Sequence, residues 1–146
     1  MTPRLAAFAL ALATLAGCDS AASDAQLTFE AVAFSGTSDG VTPDDWRVGP
    51  IFGAGASVTV PASPNPATPG ERVTLQLYGD EGLGTFSLYR RELDGDLLRI
   101  QLQSGPAYTF TFFASDASPT GTSGSSRLIV YDGFQRVVTY GDLVLR

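Results

Sequence analysis

The sequence contains no histidine and no lysine, and each of its nine basic residues is an arginine. Without histidine, no imidazole can activate a serine or a cysteine, and zinc sites built on histidine are excluded as well. Without lysine, Schiff-base chemistry and the lysine of a phosphate-binding loop are excluded. A hydrolase that uses a pair of carboxylates is not excluded, since acidic residues are present. We therefore predict that the chain is not an enzyme and holds no metal or dissociable cofactor.

Cysteine is nearly absent too: Cys18 is the only one, so no disulfide can form within the chain. The apolar run from Leu5 to Leu15 is also short. As a helix it would reach only about 16 Å at ~1.5 Å per residue, whereas a hydrocarbon core is roughly 30 Å thick. A charged start with Arg4, a short apolar stretch and a small-residue end are typical of a secretory signal.

The signal ends in Leu15-Ala16-Gly17-Cys18, which resembles the lipobox of bacterial lipoproteins. The resemblance implies that Leu15, Ala16 and Gly17 form the recognition site of the signal peptidase. It also implies cleavage before Cys18, with a diacylglycerol on the thiol and an acyl chain on the new amino group. Because two or more acyl chains give stable anchoring, we expect an exported protein that is anchored through Cys18 to the bacterial cell membrane.

The remaining composition is that of one acidic, folded domain. Fifteen acidic residues against nine basic ones give a net charge of −6, and 44% of the residues are hydrophobic. An acidic surface repels phosphate backbones and anionic lipid headgroups. We therefore predict no nucleic-acid partner, and we expect the acyl chains alone to hold the protein on the bilayer. The predicted organisation is a signal peptide over 1–17, a lipidated cysteine and flexible tether over 18–25, and a single domain over 26–146.

Apolar residues alternate with polar ones through most of this domain, and turn residues recur at intervals typical of sandwiches and barrels. The pattern predicts an all-β, antiparallel β-sandwich of about eight strands, with a small closed barrel as the alternative. Asp94-Gly95 is the strongest hairpin signal. The predicted strands are 26–34, 57–60, 72–77, 85–91, 98–102, 108–112, 127–131, 137–140 and 143–145, and a short strand or an irregular crossing fits 46–48.

Two stretches resemble a type A C-terminal sorting domain of the type IX secretion system. The first is Ser63-Pro64-Asn65-Pro66-Ala67, followed by Gly70 and the strand from Val73 to Leu77; the second runs from Leu128 to Val138. The resemblance implies an immunoglobulin-like sandwich and, as one alternative function, a sorting-domain-like secretion module. Phe134 and Gln135 depart from the family pattern, because they stand near the expected turn glycine.

Four aromatic residues are the candidate binding residues: Trp46, Tyr89, Phe113 and Phe134. Trp46 is either a stacking platform for a ligand or a core residue, and its bulk favours the core. The other three would form a partner-binding patch if they were exposed together. The acids of Asp44-Asp45, Asp80-Glu81 and Asp94-Gly95-Asp96 fit turns, where aspartate is favoured.

These features favour a membrane-anchored β-sandwich that binds another protein or an envelope component. A carbohydrate- or calcium-binding module is the alternative, and it requires exposed aromatic residues in a cluster or several carboxylates on one loop. A carboxylate-based hydrolase would need two acids about 5–9.5 Å apart in a cleft.

Replacing Cys18 with serine tests the anchor. Since serine cannot form the thioether, Cys18→Ser should abolish incorporation of a labelled fatty acid and release the protein from the membrane fraction. Metabolic labelling followed by membrane fractionation measures both effects, with the unaltered chain as the reference. Equal labelling of the two proteins would contradict the lipoprotein interpretation.

Overall fold

The computed structural model describes residues 25, 26, 29–33, 46–52, 55–79, 84–104 and 107–146. The predicted signal segment over 1–17, Cys18 and most of the predicted tether lie outside these residues. Within the described ranges, no helix has both the length and the apolar character that a membrane span requires.

The described residues form eight strands in two antiparallel sheets, one short 3₁₀ helix and, at 25, 26 and 29–33, a helical segment before the first strand. The large sheet has the order β1-β8-β7-β4-β5, and the small sheet has the order β2-β3-β6. The predicted antiparallel sandwich is therefore confirmed, and the alternative barrel is wrong because the sheets are not joined into a closed ladder. The strands are β1 (Arg47–Val48), β2 (Ala56–Ser63), β3 (Arg72–Gly79), β4 (Thr85–Arg91), β5 (Leu97–Ser104), β6 (Ala107–Phe113), β7 (Gly124–Asp132) and β8 (Val137–Leu145), and the 3₁₀ helix is Ala114–Ala117.

Strict alternation of apolar residues builds the core between the sheets. In the small sheet, Val73, Leu75 and Leu77 of β3 are buried opposite Phe112, Phe110 and Tyr108 of β6, respectively. From the large sheet, the same core receives Phe86, Leu88, Leu128 and Val130. Because side chains alternate between the faces of a strand, each polar residue between these positions lies on an outer face.

The outer face of the large sheet carries a second apolar cluster, which includes Ile129, Tyr131 and Tyr140. Phe29, Val32 and Ala33 pack on it, and the ring centroids of Phe29 and Tyr140 are 5.0 Å apart. The prediction of a strand over 26–34 is wrong, because the described residues 25, 26 and 29–33 are helical. Apolar residues at positions i, i+3 and i+4 share one side of a helix, and that side covers the sheet.

A buried arginine holds this helical segment against the large sheet. The Arg127 guanidinium pairs with both carboxylate oxygens of Asp142, at 2.5 and 2.9 Å, and also donates to the Val32 carbonyl at 3.1 Å. It lies over the Tyr140 ring at 5.0 Å from the centroid. Since a bidentate guanidinium–carboxylate pair has a fixed geometry, this contact links β7, β8 and the helical segment.

The outer edge of β8 is covered along most of its length. The register of β1 pairs Arg47 with Tyr140 and Val48 with Thr139. Further along, the Asn65 side-chain amide donates to the Asp142 carbonyl at 2.8 Å and accepts from the Val144 N–H at 2.9 Å. The two neighbouring prolines have no backbone N–H to donate to β8, and the side-chain amide of Asn65 pairs with β8 as a backbone peptide group would. The Pro-Asn-Pro segment therefore protects this edge of the large sheet.

The hairpin signal at Asp94-Gly95 is confirmed. The Glu92 N–H donates to the Asp96 carbonyl at 2.8 Å, and Gly95 has a φ of 96°, which glycine adopts without a Cβ penalty. The predicted strands at 137–140 and 143–145 are one strand, β8, because Gly141 and Asp142 continue its ladder with β7.

Glycine at position 141 leaves room for the indole of Trp46. A Cβ atom at this position would lie 2.6 Å from two ring carbons of Trp46, closer than any van der Waals contact allows. At Gly70, by contrast, a Cβ atom would meet nothing within 4 Å. The single tryptophan therefore packs directly on the β8 backbone.

Gly141→Ala should lower the free energy of unfolding by about 1–3 kcal/mol, because the added methyl group overpacks this contact. The matched control Gly70→Ala should be neutral or stabilising by up to about 1 kcal/mol. Chemical denaturation followed by the fluorescence of Trp46 measures both variants. Equal stability of the two variants would show that the indole does not pack tightly on β8.

Candidate functional site

The candidate site is a groove on the open side of the sandwich, between β5 at the edge of the large sheet and β6 at the edge of the small sheet. A cavity of about 300 Å³ adjoins a second one of about 260 Å³, because Ile100 and Asp116 line both. We call this the β5–β6 groove. Its other lining residues are Arg72, Gln101, Thr111, Phe112 and Phe113 in the first cavity, and Arg90, Leu98 and Arg99 in the second.

A bulge in β5 decides which side chains face the groove. Leu88 of β4 pairs with Gln101 and Tyr89 pairs with Arg99, so Ile100 is an extra residue in β5. Beyond such a bulge the alternation changes phase. Gln101 therefore shares the face of the buried Leu88, while Leu102 is 52% exposed.

Strict alternation would place Leu98, Ile100 and Leu102 on the inner face of β5 and the glutamines on the outer face. Ile100 does pack against the core, but beyond the bulge the two faces are exchanged. Gln103 pairs with the buried Phe86, which places a second glutamine on the inner side of β5. The open side of the sandwich is therefore partly polar, as a wetted groove requires.

The side chain of Gln101 bridges the two sheets. Its Oε1 atom accepts a hydrogen bond from the Thr111 N–H of β6 at 2.9 Å. An edge strand presents unpaired N–H and C=O groups to solvent, and here a side-chain carbonyl takes the position that a neighbouring strand's carbonyl would hold. The contact is exposed, so an incoming carbonyl group can compete for the Thr111 N–H.

The charges around the groove differ from those of the whole chain. The three strands of the small sheet contain no acidic residue, although the chain has a net charge of −6. The Arg72 guanidinium lies 5.1 Å from the centroid of the Phe113 ring, a cation–π distance. Arg90 is held in place by Glu92 at 2.7 Å and by the carbonyls of Asp116 and Ser118 at 2.8 Å. The groove therefore combines three arginine side chains and one acid, Asp116, with one exposed aromatic ring.

The four predicted binding residues lie in four separate places. Phe113 is 45% exposed in the groove, whereas Phe134 is 75% exposed on the β7–β8 turn, 5.3 Å below the Arg136 guanidinium. Trp46 is partly buried against the core. Tyr89 packs on the outer cluster of the large sheet, edge-on to Tyr131 at 5.3 Å. The expected patch of Tyr89, Phe113 and Phe134 does not form.

The phenol of Tyr131 is buried in the outer cluster and lies near the charge of Glu30. Burial, followed by the nearby charge of Glu30 and by Tyr89, raises the pKa of its phenol from 10.0 to about 12. Each of these effects disfavours the phenolate. Tyr131 therefore stays protonated beneath the helical segment at any physiological pH.

The acids of the described part serve turns and ion pairs. Asp94 accepts from the Asp96 N–H at 3.1 Å, and Asp132 accepts from the Phe134 and Arg136 N–H groups at 2.9 and 2.8 Å. Among the residues the structure describes, no three acidic or sulfur-bearing side chains converge as a metal site would require. Asp44-Asp45 and Asp80-Glu81 lie outside the described residues.

The sequence analysis missed Arg72, Arg99, Gln101, Thr111 and Asp116 as groove residues. One signal could have pointed to part of this region: the segments 56–79 and 107–113 contain only one acid, Glu71, in an otherwise acidic chain. That β5 and β6 lie next to each other across the sandwich could not be predicted from the residues of either strand, because the two strands belong to different sheets.

Comparison with protein-family models finds no match, and comparison with curated protein sequences finds none. Among solved structures, the chain is similar to a superoxide reductase (neelaredoxin) from Ignicoccus hospitalis, with a TM-score of 0.42 and 11% sequence identity. The similarity covers 63% of this chain and 80% of that chain.

The prediction that the chain is not an enzyme is not retained. The matched protein is an enzyme by its name, and the absence of histidine and lysine excluded only mechanisms that need these residues or a free thiol. That absence does not exclude catalysis by carboxylate and arginine side chains. At this level of similarity, the comparison does not assign the neighbour's activity to this chain.

Tyr131 should make the fold sensitive to alkaline pH. In the unfolded chain a tyrosine ionises near pH 10, whereas the folded-state pKa is about 12. The folded state thus retains a proton that the unfolded state loses, so this contribution to the free energy of unfolding is full below pH 10 and decreases between about pH 10 and 12. Urea denaturation across this range should show a shallower decline for Tyr131→Phe. The control is Tyr78→Phe, at an exposed position of β3, and an unchanged pH slope in Tyr131→Phe would contradict the assignment.

Proposed function

We propose that this chain is an exported, lipid-anchored module of the bacterial cell envelope that binds an extended segment of another envelope protein in the β5–β6 groove. The lipobox-like Leu15-Ala16-Gly17-Cys18 supports the anchor. The observation that carries the binding function is the Thr111 N–H, which a side chain rather than a strand occupies.

The hydrogen bonding of the groove favours a protein segment over a small molecule. An extended segment laid beside β6 would supply backbone carbonyls to the edge N–H groups, as in other cases where a strand is added to a sheet. Gln101 needs only a rotation of its flexible side chain to release Thr111. The exchange replaces one hydrogen bond by another and leaves no buried N–H unsatisfied.

The charges of the groove favour an acidic partner. Arg72, Arg90 and Arg99 line it together with a single acid, Asp116, and no described acidic side chain forms an ion pair with Arg72 or Arg99. A partner with carboxylates beside its apolar residues would meet these guanidinium groups and the exposed Phe113 ring together. Complementary charge of this kind mainly raises the association rate and selects among partners.

The anchor keeps the groove close to the bilayer. Residue 25, where the described helical residues begin, is seven positions after Cys18. At most about 3.3–3.6 Å per residue, this tether spans no more than about 25 Å. We therefore expect the partner to be another protein of the same membrane surface.

A photoreactive amino acid at position 113 tests the proposal in cells. Replacing Phe113 with benzoylphenylalanine should give a discrete cross-linked product, because the side chain lies in the groove. The matched control is position 78, since Tyr78 is 53% exposed on the outer face of the same sheet and outside the groove. Arg72→Glu, combined with the probe at 113, should reduce the product at least about tenfold, consistent with loss of a charged contact.

Equal products from positions 113 and 78 would contradict binding in the groove. A product that survives Arg72→Glu would contradict the acidic partner. Loss of the product in Cys18→Ser would show that the partner is reached only from the membrane.

A further inference from the structure

A second pocket lies away from the groove, at the end of β4 and the start of β7. Its volume is about 270 Å³, and its lining residues are Arg91, Glu92, Leu93, Pro119, Ser125, Ser126 and Arg127. Arg90 pairs with Leu128 in the β4–β7 ladder, so Arg91 and Arg127 stand next to each other where this ladder ends. The two neighbouring guanidinium groups and the hydroxyl of Ser125, which shares the face of Arg127 in β7, give the pocket a set of hydrogen-bond donors.

The ion pairs around the pocket leave one positive charge uncompensated. Asp142 neutralises Arg127 through two hydrogen bonds, and Arg90 neutralises Glu92 at 2.7 Å. Among the described ion pairs, none includes Arg91. The lining therefore carries one net positive charge, which is that of Arg91.

Arg91 also has an unsatisfied hydrogen-bond donor. Its Nη1 atom is buried and has no hydrogen-bond partner, and it is one of three such side-chain atoms in the described part of the chain. The guanidinium lies against the β4–β5 turn, since a Cβ atom on Gly95 would be 3.7 Å from Nη2 of Arg91. A buried N–H without a partner is unfavourable, so an acceptor bound in the pocket would stabilise this guanidinium.

We propose that this pocket binds a carboxylate of a single negative charge, with Arg91 as the primary ligand and Ser125 as an additional donor. A carboxylate matches the planar fork of a guanidinium with two parallel hydrogen bonds. One negative charge balances Arg91, whereas a dianion would leave an excess charge beside Glu92 and Asp142. The carboxylate can belong to a small organic acid or to an acidic side chain of a peptide. This site uses none of the groove residues Arg72, Gln101 and Thr111, so it is independent of the proposed function.

Thermal unfolding of the full-length protein in detergent tests the site. Sodium acetate should raise the melting temperature above that in sodium chloride at the same ionic strength, since a ligand that binds only the folded state stabilises it. Acetamide, which has the same shape without the charge, should have no effect. The tripeptide Gly-Glu-Gly, acetylated and amidated at its ends, carries only a side-chain carboxylate. Tighter binding of this peptide than of acetate would assign the ligand to a protein segment, and weaker binding would assign it to a small acid.

Arg91→Gln should weaken acetate binding at least about tenfold in a nuclear magnetic resonance titration, because a charged bidentate contact is lost. Arg146→Gln removes the same charge from an exposed position outside the pocket and should leave the affinity unchanged. Without ligand, Arg91→Gln should melt at the same temperature as the unaltered chain or higher, since an unsatisfied donor is removed. Equal melting in acetate and chloride, equal affinity of the two variants, or unfolding of Arg91→Gln in the absence of ligand would each overturn the proposal.

Discussion

Burial of both faces of the large sheet is the constraint on which the rest of this structure depends. Every residue of β7 from Ser126 to Asp132 is buried. Leu128 and Val130 lie in the core between the sheets, while Ile129 and Tyr131 lie in the outer cluster. A sheet that is apolar on both faces needs a covering layer on each side, and the small sheet and the helical segment supply these two layers. Arg127, which Asp142 fixes in place, holds the helical segment on the sheet through its hydrogen bond to the Val32 carbonyl.

The edges of the two sheets are treated unequally, and this difference locates the candidate site. The edge of β8 is covered by β1 and by the Asn65 amide, which pairs with the strand as a peptide group would. In the part of the chain that the structure describes, the edges of β5 and β6 are instead connected by one exposed hydrogen bond, from the Thr111 N–H to Gln101. Unsatisfied edge groups favour the addition of a strand. The side of the sandwich that lacks a closing strand is therefore also the side that can accept one.

Periodicity identified most strands because their side chains alternate between core and solvent. It succeeded for β3, β4 and β6, where Val73, Leu75 and Leu77 or Phe110 and Phe112 repeat at intervals of two. It failed at 26–34, where apolar residues on both parities were assigned to a strand although the spacing of Phe29, Val32 and Ala33 also fits a helix. It failed again in β5, because the bulge at Ile100 exchanges the two faces and brings Gln101 inward. A bulge depends on the partner strand, so it has no reliable signal in the strand that contains it.

The sequence by itself determined the all-β class, the hairpin at Asp94-Gly95 and the exclusion of histidine- and lysine-based mechanisms, since composition and short-range spacing are local properties. The proposed anchor at Cys18 rests on the sequence alone, because the described residues begin beyond it. Only the tertiary structure decided that Trp46 packs on Gly141, that Phe113 joins Arg72 in a groove, and that Arg91 lacks a partner in the pocket it shares with Arg127. Each of these contacts joins separate strands or lies where strands meet, so strand pairing and packing decide it, and neither can be read from neighbouring residues.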